Sequence, residues 1–346
     1  MPTVNRQIHL VSRPAGEPTL ENFRLVEAPL PELGVQQVLV RNHYLSLDPY
    51  MRGRMDDRKS YAAPQPLNTV MIGATVGEVV ASTTDPFRAG DKVAAMGGWQ
   101  EYVRVDASHL KHAPPAGGVS LRKVDPQIPL SAYLGALGIP GITAWMGVTQ
   151  ICMPRQDETL VVSSAAGAVG GAVGQLARQR GCRVVGIAGG PEKCRYVQEE
   201  LGFDDCVDYK RHKDLRALAG ALSKAAPAGV DCCFENVGGM IFDAALSAMN
   251  DFGRVALCGL IACYNGEPNP ITYPSLILAK RLKMQGFIVS DRLDQWPAAM
   301  EDLRALLLAG KLRYRETVTQ GLEHAPQAFL DLLKGRSIGK AVVKLI

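Results

Sequence analysis

The sequence predicts an α/β protein: a doubly wound parallel sheet beside a separate β-rich domain. Three observations lead there. A strand, a glycine-rich turn and a helix follow one another from Glu158 to Gly190. From there to about residue 309, strands and helices alternate strictly, the pattern of a parallel sheet with crossover helices. Before it, residues 1 to about 125 hold short β-type runs broken by Pro, Gly, Asp and Asn turns.

Taken in order, the β-type runs are Gln7–Leu10, Phe23–Glu27, Gln37–Val40, Val76–Ala81, Lys92–Ala95 and Glu101–Val105. Their irregular spacing predicts a compact β-rich domain, with an exit at Pro114–Gly118. Helical stretches follow at Leu130–Leu137 and Gly141–Gln150, split by Gly138-Ile139-Pro140-Gly141. The alternating region then predicts strands at Thr159–Ser163, Arg183–Ala188, Cys206–Tyr209, Asp231–Glu235, Arg254–Gly259 and Met284–Val289. Its helices are Glu192–Leu201, Leu215–Lys224, Ile241–Met249 and Trp296–Ala309. The tail breaks the alternation, with Arg313–Thr319, a helix at Ala325–Lys334 and a strand at Gly339–Leu345. It is expected to return to the first domain. The domains are therefore drawn as 1–125, completed by 313–346, and 126–312.

The glycine turn carries the first chemistry. Ala165-Ala166-Gly167-Ala168-Val169-Gly170 is a dinucleotide turn, G-x-G-x-x-G, with alanine in its first glycine position. Gly167 lets backbone approach a pyrophosphate, and Gly170 lets the helix lie close to the strand. The helix N-terminus offers N–H groups to the anion. Gly170 and Gly174 share a helix face and are expected to permit close approach to the sheet. At the end of the second strand, NAD sites place an acidic residue about 20 residues after the turn. Here stand Ala188-Gly189-Gly190, with Lys193 following, so a 2′-phosphate is expected to fit. This predicts NADPH rather than NADH.

Composition narrows the function classes. A chain of 346 residues has room for two cores, and a formal net charge of +4 without a long basic run gives no footprint for nucleic acid. No uncharged apolar stretch is long enough to span a bilayer, and MPTVNRQIHL is no signal peptide, so a cytoplasmic protein without membrane attachment is expected. The eight cysteines, Cys152, Cys182, Cys194, Cys206, Cys232, Cys233, Cys258 and Cys263, include no CxxC pair and read as reduced thiols.

Several segments together resemble the medium-chain dehydrogenase/reductase family: Leu45–Met55 (LSLDPYMRGRM), Ala165–Gln175, Glu235–Gly239 (ENVGG), Cys258–Leu260 and Gly335–Lys340. More narrowly, the chain is similar to the zinc-free branch of double-bond reductases, which includes prostaglandin, plant alkenal and bacterial curcumin reductases, the last most of all. The resemblance spans nearly the whole chain. It implies a Rossmann NADPH-binding domain plus a GroES-like catalytic domain. It also implies that Gly167, Ala168, Val169 and Gly170 meet the pyrophosphate and that Lys193 and Tyr209 hold the 2′-phosphate. Asn236, Cys258, Gly259 and the loop to Tyr264 would lie at the nicotinamide side, with a later contact from Phe287, Ile288 and Val289. Ser337 stands where mammalian relatives carry Asn, and Ala279 near where they have a tyrosine beside the substrate. This last difference leaves the proton donor open.

No metal centre is expected. Residues 1–151 contain no cysteine, and zinc needs three or four convergent ligands, so His43 reads as packing or a hydrogen bond. His109 and His112 read as surface residues. Without a Lewis acid, the chemistry that fits best is conjugate reduction of an α,β-unsaturated aldehyde or ketone. Hydride goes to the β-carbon, hydrogen-bond donors meet charge on the carbonyl oxygen, and a proton goes to the α-carbon. Tyr264 and Tyr50, which the family brings to the cleft from the other domain, are the candidate donors. Each could instead be packing, and the proton could come from water or a ribose hydroxyl. Arg52 and Arg54 could steer an oxygen-rich substrate or form ion pairs; Met51, Met55 and Trp99 could line an apolar pocket or belong to the core. A quinone reductase and a non-catalytic NADPH-binding protein are the alternatives. The branch is commonly dimeric, which makes a homodimer the expectation.

Overall fold

The structure is a computed structural model and describes residues 4–108 and 121–346. His109, His112 and the Pro114–Gly118 exit lie outside the described residues. The chain forms two compact units, Met1–Leu134 with Glu316–Ile346, and Gly135–Arg315. Residues 126–134 thus sit with the first unit, whereas the sequence pattern puts the boundary at 125.

The first unit holds two sheets. A three-stranded sheet orders Phe23–Pro29, Val4–Leu10 and Thr69–Val70. In the larger sheet the strand Gln37–Ser46 is central: it pairs antiparallel with Thr75–Ser82, with Tyr102–Asp106 and with the C-terminal strand Lys340–Lys344. It runs six residues beyond the expected Val40, because Asn42 and Tyr44 keep ladder partners, and His43, at the register shift between them, still accepts the Leu345 N–H through its carbonyl at 2.8 Å. The tail closes this core. Phe329, on the helix Ala325–Leu333, meets Trp99 edge-on at 5.7 Å, and Trp99 stacks on Phe23 at 5.5 Å. Met51, Met55 and Trp99 are fully buried in this cluster, so they belong to the core.

The second unit is a six-stranded parallel sheet. Its order is Asp205–Asp208, Arg183–Ala188, Thr159–Ser163, Val230–Glu235, Met249–Leu257, Lys283–Gly286. Thr159–Ser163 is buried along its whole length, as its β-branched and apolar run requires of a central strand. The helix Leu215–Ala225 begins where the Asp214 carboxylate accepts the Ala217 N–H at 2.8 Å. Leu218, Leu222, Val230, Phe242 and Leu246 fill the space between it and the sheet.

Three expectations change here. The split between the helical stretches falls earlier than Gly138–Gly141: the first is a short 3-10 helix, Leu130–Leu134, and the second starts at Ile139, with Gly138 as N-cap and Pro140 in the first turn, where a missing N–H costs nothing. It continues into a π-helical stretch at Gly147–Cys152. The last strand of the sheet stops at Gly286, and Val289–Gln295 is 3-10 helix instead. Gly174 does not let the helix backbone approach the sheet directly: a Cβ there would fall 1.9 Å from the Phe203 ring, which also lies 3.3 Å from a Cβ placed on Gly186 of the sheet.

Candidate functional site

The glycine turn follows Thr159–Ser163 directly. Ser164 takes φ 53°, and the Gly167 N–H donates to the Ser164 carbonyl at 2.9 Å. The helix Ala168–Arg178 then begins with Gly167 as N-cap, and no side chain caps it. The first-turn N–H groups of Ala168, Val169 and Gly170 therefore have no intrahelical acceptor, and the helix dipole adds positive potential. Gly170 is required by the turn itself: a Cβ would lie 2.3 Å from the Ser164 carbonyl oxygen. This is an anion cradle built from backbone.

A lysine-bearing turn lies past Arg183–Ala188. Gly190 takes φ 99°, which favours glycine, and leads into the helix Pro191–Arg195. A Cβ on Gly189 would meet the Tyr209 ring at 2.8 Å and the Lys210 side chain at 3.0 Å, so both line this turn. Burial lowers the Lys193 pKa, and the neighbouring Lys210 charge lowers it further. Two ammonium groups that disfavour each other make a place where an anion would be welcome. Neither Lys210 nor Asp208 stands out as a site residue in the sequence. The Asp208 carboxylate accepts the Gly190 N–H at 2.7 Å and the Lys210 N–H at 3.1 Å, tying the two strand ends together. An aspartate directly after an apolar strand, as a cap, was the signal available.

The third cluster is at the carboxyl ends of Thr159–Ser163 and Val230–Glu235. Asn236 donates its backbone N–H to Ser163 Oγ and its side-chain amide to the Ser163 carbonyl, both at 2.8 Å. Glu235 is fully buried, and its Oε1 accepts the N–H groups of Val237 and Gly238 at 2.6 Å each. Its Oε2 has no hydrogen-bond partner among the described residues. Burial outweighs these bonds and pushes the carboxyl up to about 7. Its carbonyl in turn accepts the N–H groups of Cys258 and Gly259. A Cβ on Gly259 would stand 3.3 Å from the Asn236 carbonyl and 3.4 Å from the Tyr264 hydroxyl. The structure thus gathers Asn236, Cys258, Gly259 and Tyr264 at one sheet edge. Burial raises the Cys258 thiol to about 12, which keeps it protonated. Phe287, Ile288 and Val289 follow the last strand; Phe287 packs edge-on against Phe234 at 6.1 Å.

Tyr50 and Ser337 belong to the first unit. The Tyr50 hydroxyl is buried without a hydrogen-bond partner among the described residues, although the residue as a whole is partly exposed. Burial, and then the Asp48 charge, raise its pKa, so the phenol stays neutral. Ser337 is half-buried beside Ile338, whose N–H donates to Thr317 Oγ1 at 3.0 Å. Arg52 is structural: it is buried, paired with Asp56 at 2.6 Å and bonded to the Gly16 carbonyl at 2.8 Å. His43 lies 4.0 Å from Glu78. Among the described residues, no group of three or more His, Cys, Asp or Glu side chains is placed to hold a metal ion.

Comparison with known proteins places this geometry. Residues 6–113 match a family model described as the N-terminal domain of oxidoreductase, and residues 168–305 one described as zinc-binding dehydrogenase. The NADPH-dependent curcumin reductase of Escherichia coli (strain K12) is 45% identical, over 99% of this chain and 97% of that protein. The 2-alkenal reductase (NADP(+)-dependent) of Nicotiana tabacum is 39% identical, over 98% and 97%. The crystal structure of CurA in complex with NADPH from Vibrio vulnificus superposes with a TM-score of 0.89 at 44% identity, covering 99% of both chains. With such identity carried along almost its entire length, the chain belongs to the medium-chain dehydrogenase/reductase family.

Proposed function

We propose that this protein uses NADPH to reduce the carbon–carbon double bond of α,β-unsaturated aldehydes and ketones. The observation that carries the reading is the pairing of two anion sites one strand apart. One is the uncapped helix start at Gly167–Gly170; the other is the Lys193, Tyr209 and Lys210 pocket at the end of the next strand. A dinucleotide with a 2′-phosphate presents anions at those two places. The glycine-lined turns leave the space such a group would fill. The NADPH-bound relative and the reductases named above support the same cofactor.

When bound, NADPH supplies the hydride. The protein's part is position and electrostatics. Ala168, Val169 and Gly170 N–H groups hold the pyrophosphate, and Lys193 with Tyr209 holds the 2′-phosphate. Asn236, Cys258, Gly259, Phe287, Ile288, Val289 and Ser337 complete the contacts. The Tyr264 hydroxyl, next to Gly259 and Asn236, is the candidate donor to the substrate oxygen, and the buried Tyr50 hydroxyl is the alternative candidate. Both act as neutral phenols, so neither costs a buried charge. Eight free thiols suit a reducing cytoplasm. A homodimer is part of the same proposal, as in the branch the chain resembles; the edge strand Lys283–Gly286 and Leu278, 81% exposed, are compatible with it, and a monomeric mass in light scattering would reject it.

The test is NADPH oxidation over a panel of enals, enones, curcumin and a simple quinone. We expect turnover of the conjugated carbonyls and a strong preference for NADPH over NADH. No turnover of any enal or enone, or equal use of the two cofactors, defeats the reading. In the same assay Tyr264→Phe should lower kcat by about 10²-fold, the usual loss on removing one oxyanion donor.

A further inference from the structure

The loop that carries Tyr264 is held by polar bonds more than by packing. From Leu257 to Thr272 no residue is buried, so the core does not fix its course. Its near end hangs on the turn after Val230–Glu235. The Glu235 carboxyl accepts the Val237 and Gly238 N–H groups at 2.6 Å each and so sets that turn. The Asn236 and Val237 carbonyls then accept the Ile261 N–H at 3.2 Å and the Ala262 N–H at 2.9 Å. The Tyr264 N–H donates to the Ile261 carbonyl at 3.3 Å. Further on, the loop comes back to the same turn. A Cβ on Gly238 would stand 2.1 Å from Asn269 Nδ2, so the Asn269 amide fills the space that the glycine leaves open.

Three residues later the loop is fastened a second time. Thr272 donates its backbone N–H to Asp243 Oδ1 at 3.0 Å and its hydroxyl to Asp243 Oδ2. Asp243 lies in the middle of the helix Gly239–Ala248 and is only 5% exposed, whereas Thr272 is exposed. The helix itself does not call for an aspartate there. Aspartate is a weak helix former in an interior position, and a buried carboxylate is costly unless it is hydrogen-bonded. Among the described residues, its hydrogen-bond partners are both on Thr272. A buried carboxylate thus serves one exposed loop residue, through two bonds of the charge-assisted kind.

We propose that Asp243 is a positioning residue for Tyr264: it closes the loop 261–272 against the helix and thereby limits where the Tyr264 hydroxyl can stand. The proposal rests on the reading of Tyr264 as donor to the substrate oxygen. That hydroxyl lies 3.4 Å from a Cβ placed on Gly259, on a stretch tied at both ends to one turn and the helix that follows it. Without the far tie, the chain from Cys263 to Thr272 swings on its near end. Ordering a backbone costs conformational entropy, and this loop has no buried side chain to offset it. A donor works when it already stands where charge develops, and a misplacement of about 1 Å can lower a rate by about 10²-fold. The Asp243 bonds go neither to the glycine turn nor to the Lys193 turn, so cofactor affinity should not depend on them.

The experiment uses the full-length protein, with kcat and kcat/KM measured on one enone and the NADPH dissociation constant measured without substrate. Asp243→Ala should lower kcat and kcat/KM together, by about tenfold, and leave the NADPH constant unchanged. Asp243→Asn should restore the rate, because its amide can accept the Thr272 N–H and donate to the Thr272 hydroxyl. In a Tyr264→Phe background, Asp243→Ala should cost nothing further, since the group it positions is gone. Thr272→Val removes one of the two bonds and leaves the buried carboxylate in place; it should lower kcat in the same direction, and it decides the matter if Asp243→Ala does not fold. An unchanged kcat in Asp243→Ala or Thr272→Val overturns the proposal, as does a loss that multiplies with that of Tyr264→Phe or one that Asp243→Asn fails to restore. If Tyr264→Phe itself keeps full kcat, the donor reading falls and this proposal with it. A loss in Tyr264→Phe with none in the Asp243 and Thr272 variants sinks this proposal alone.

Discussion

Glu235→Gln should change how stability depends on pH, because Glu235 is fully buried and one of its oxygens has no partner among the described residues. Burial raises its carboxyl from an ordinary 4.5 to about 7. Between those values the folded protein holds a proton that the unfolded chain has released. Stability is therefore highest below about 4.5, falls as pH rises towards 7, and is flat above. The shift of two to three units corresponds to about 3 kcal/mol at 1.36 kcal/mol per unit. Glutamine has the same shape, and its Oε1 can accept the Val237 and Gly238 N–H groups as the carboxyl does. It cannot ionise. The assay is urea unfolding of both proteins from about pH 5 to about pH 8, read as the difference between them, so that the other titrating groups cancel. The two should be similar near pH 5, with the wild type losing about 3 kcal/mol relative to the variant by pH 8. Parallel curves, with the wild type more stable throughout, would refute the reasoning. They would mean that two short N–H bonds and the start of the helix Gly239–Ala248 hold the carboxylate charged against burial.

Two glycines of the second unit should respond in opposite ways to alanine. At Gly170 the new methyl would lie 2.3 Å from the Ser164 carbonyl oxygen, a backbone atom that cannot step aside, and thermal unfolding should show a loss of about 1–3 kcal/mol together with weaker NADPH binding. Gly220 is exposed in the helix Leu215–Ala225 with nothing within 4 Å, so Gly220→Ala should stabilise by about 0.5–1 kcal/mol in the same assay. In the first unit, Asp48→Ala leaves the buried Lys340 ammonium with the Leu47 carbonyl at 2.5 Å in place of its carboxylate partner at 2.9 Å. Urea unfolding should register a cost of about 3–5 kcal/mol.

What the sequence made legible was local. The glycine turn, the strand before it and the helix after it lie within about twenty residues, and each announces itself by residue type. The alternation of strands and helices is likewise a property of neighbours, so residue order alone implies the parallel sheet. The departures have local causes too. Pro140 reads as a breaker until it is placed in a first turn, where proline is welcome. Gly174 reads as a contact with the sheet until Phe203, 29 residues later, claims the space.

The parts that sequence did not yield are those in which two distant residues share one interaction. Lys340 meets Asp48 across 292 positions, and neither residue type says that it will be buried. Asp208 secures the Gly190 turn because parallel strands place their carboxyl ends side by side. Glu235 did leave a trace, as a carboxylate closing the run Asp231-Cys232-Cys233-Phe234 at the buried end of a central strand. Read for chemistry alone, the motif draws attention to Asn236, whose amide looks like a ligand contact. Read for electrostatics, it draws attention to Glu235, because a charge at that depth must be neutralised or offset. That is where the protein's supporting groups lie: beneath the residues proposed to touch a cofactor, holding their turns through backbone N–H groups that residue types alone do not display.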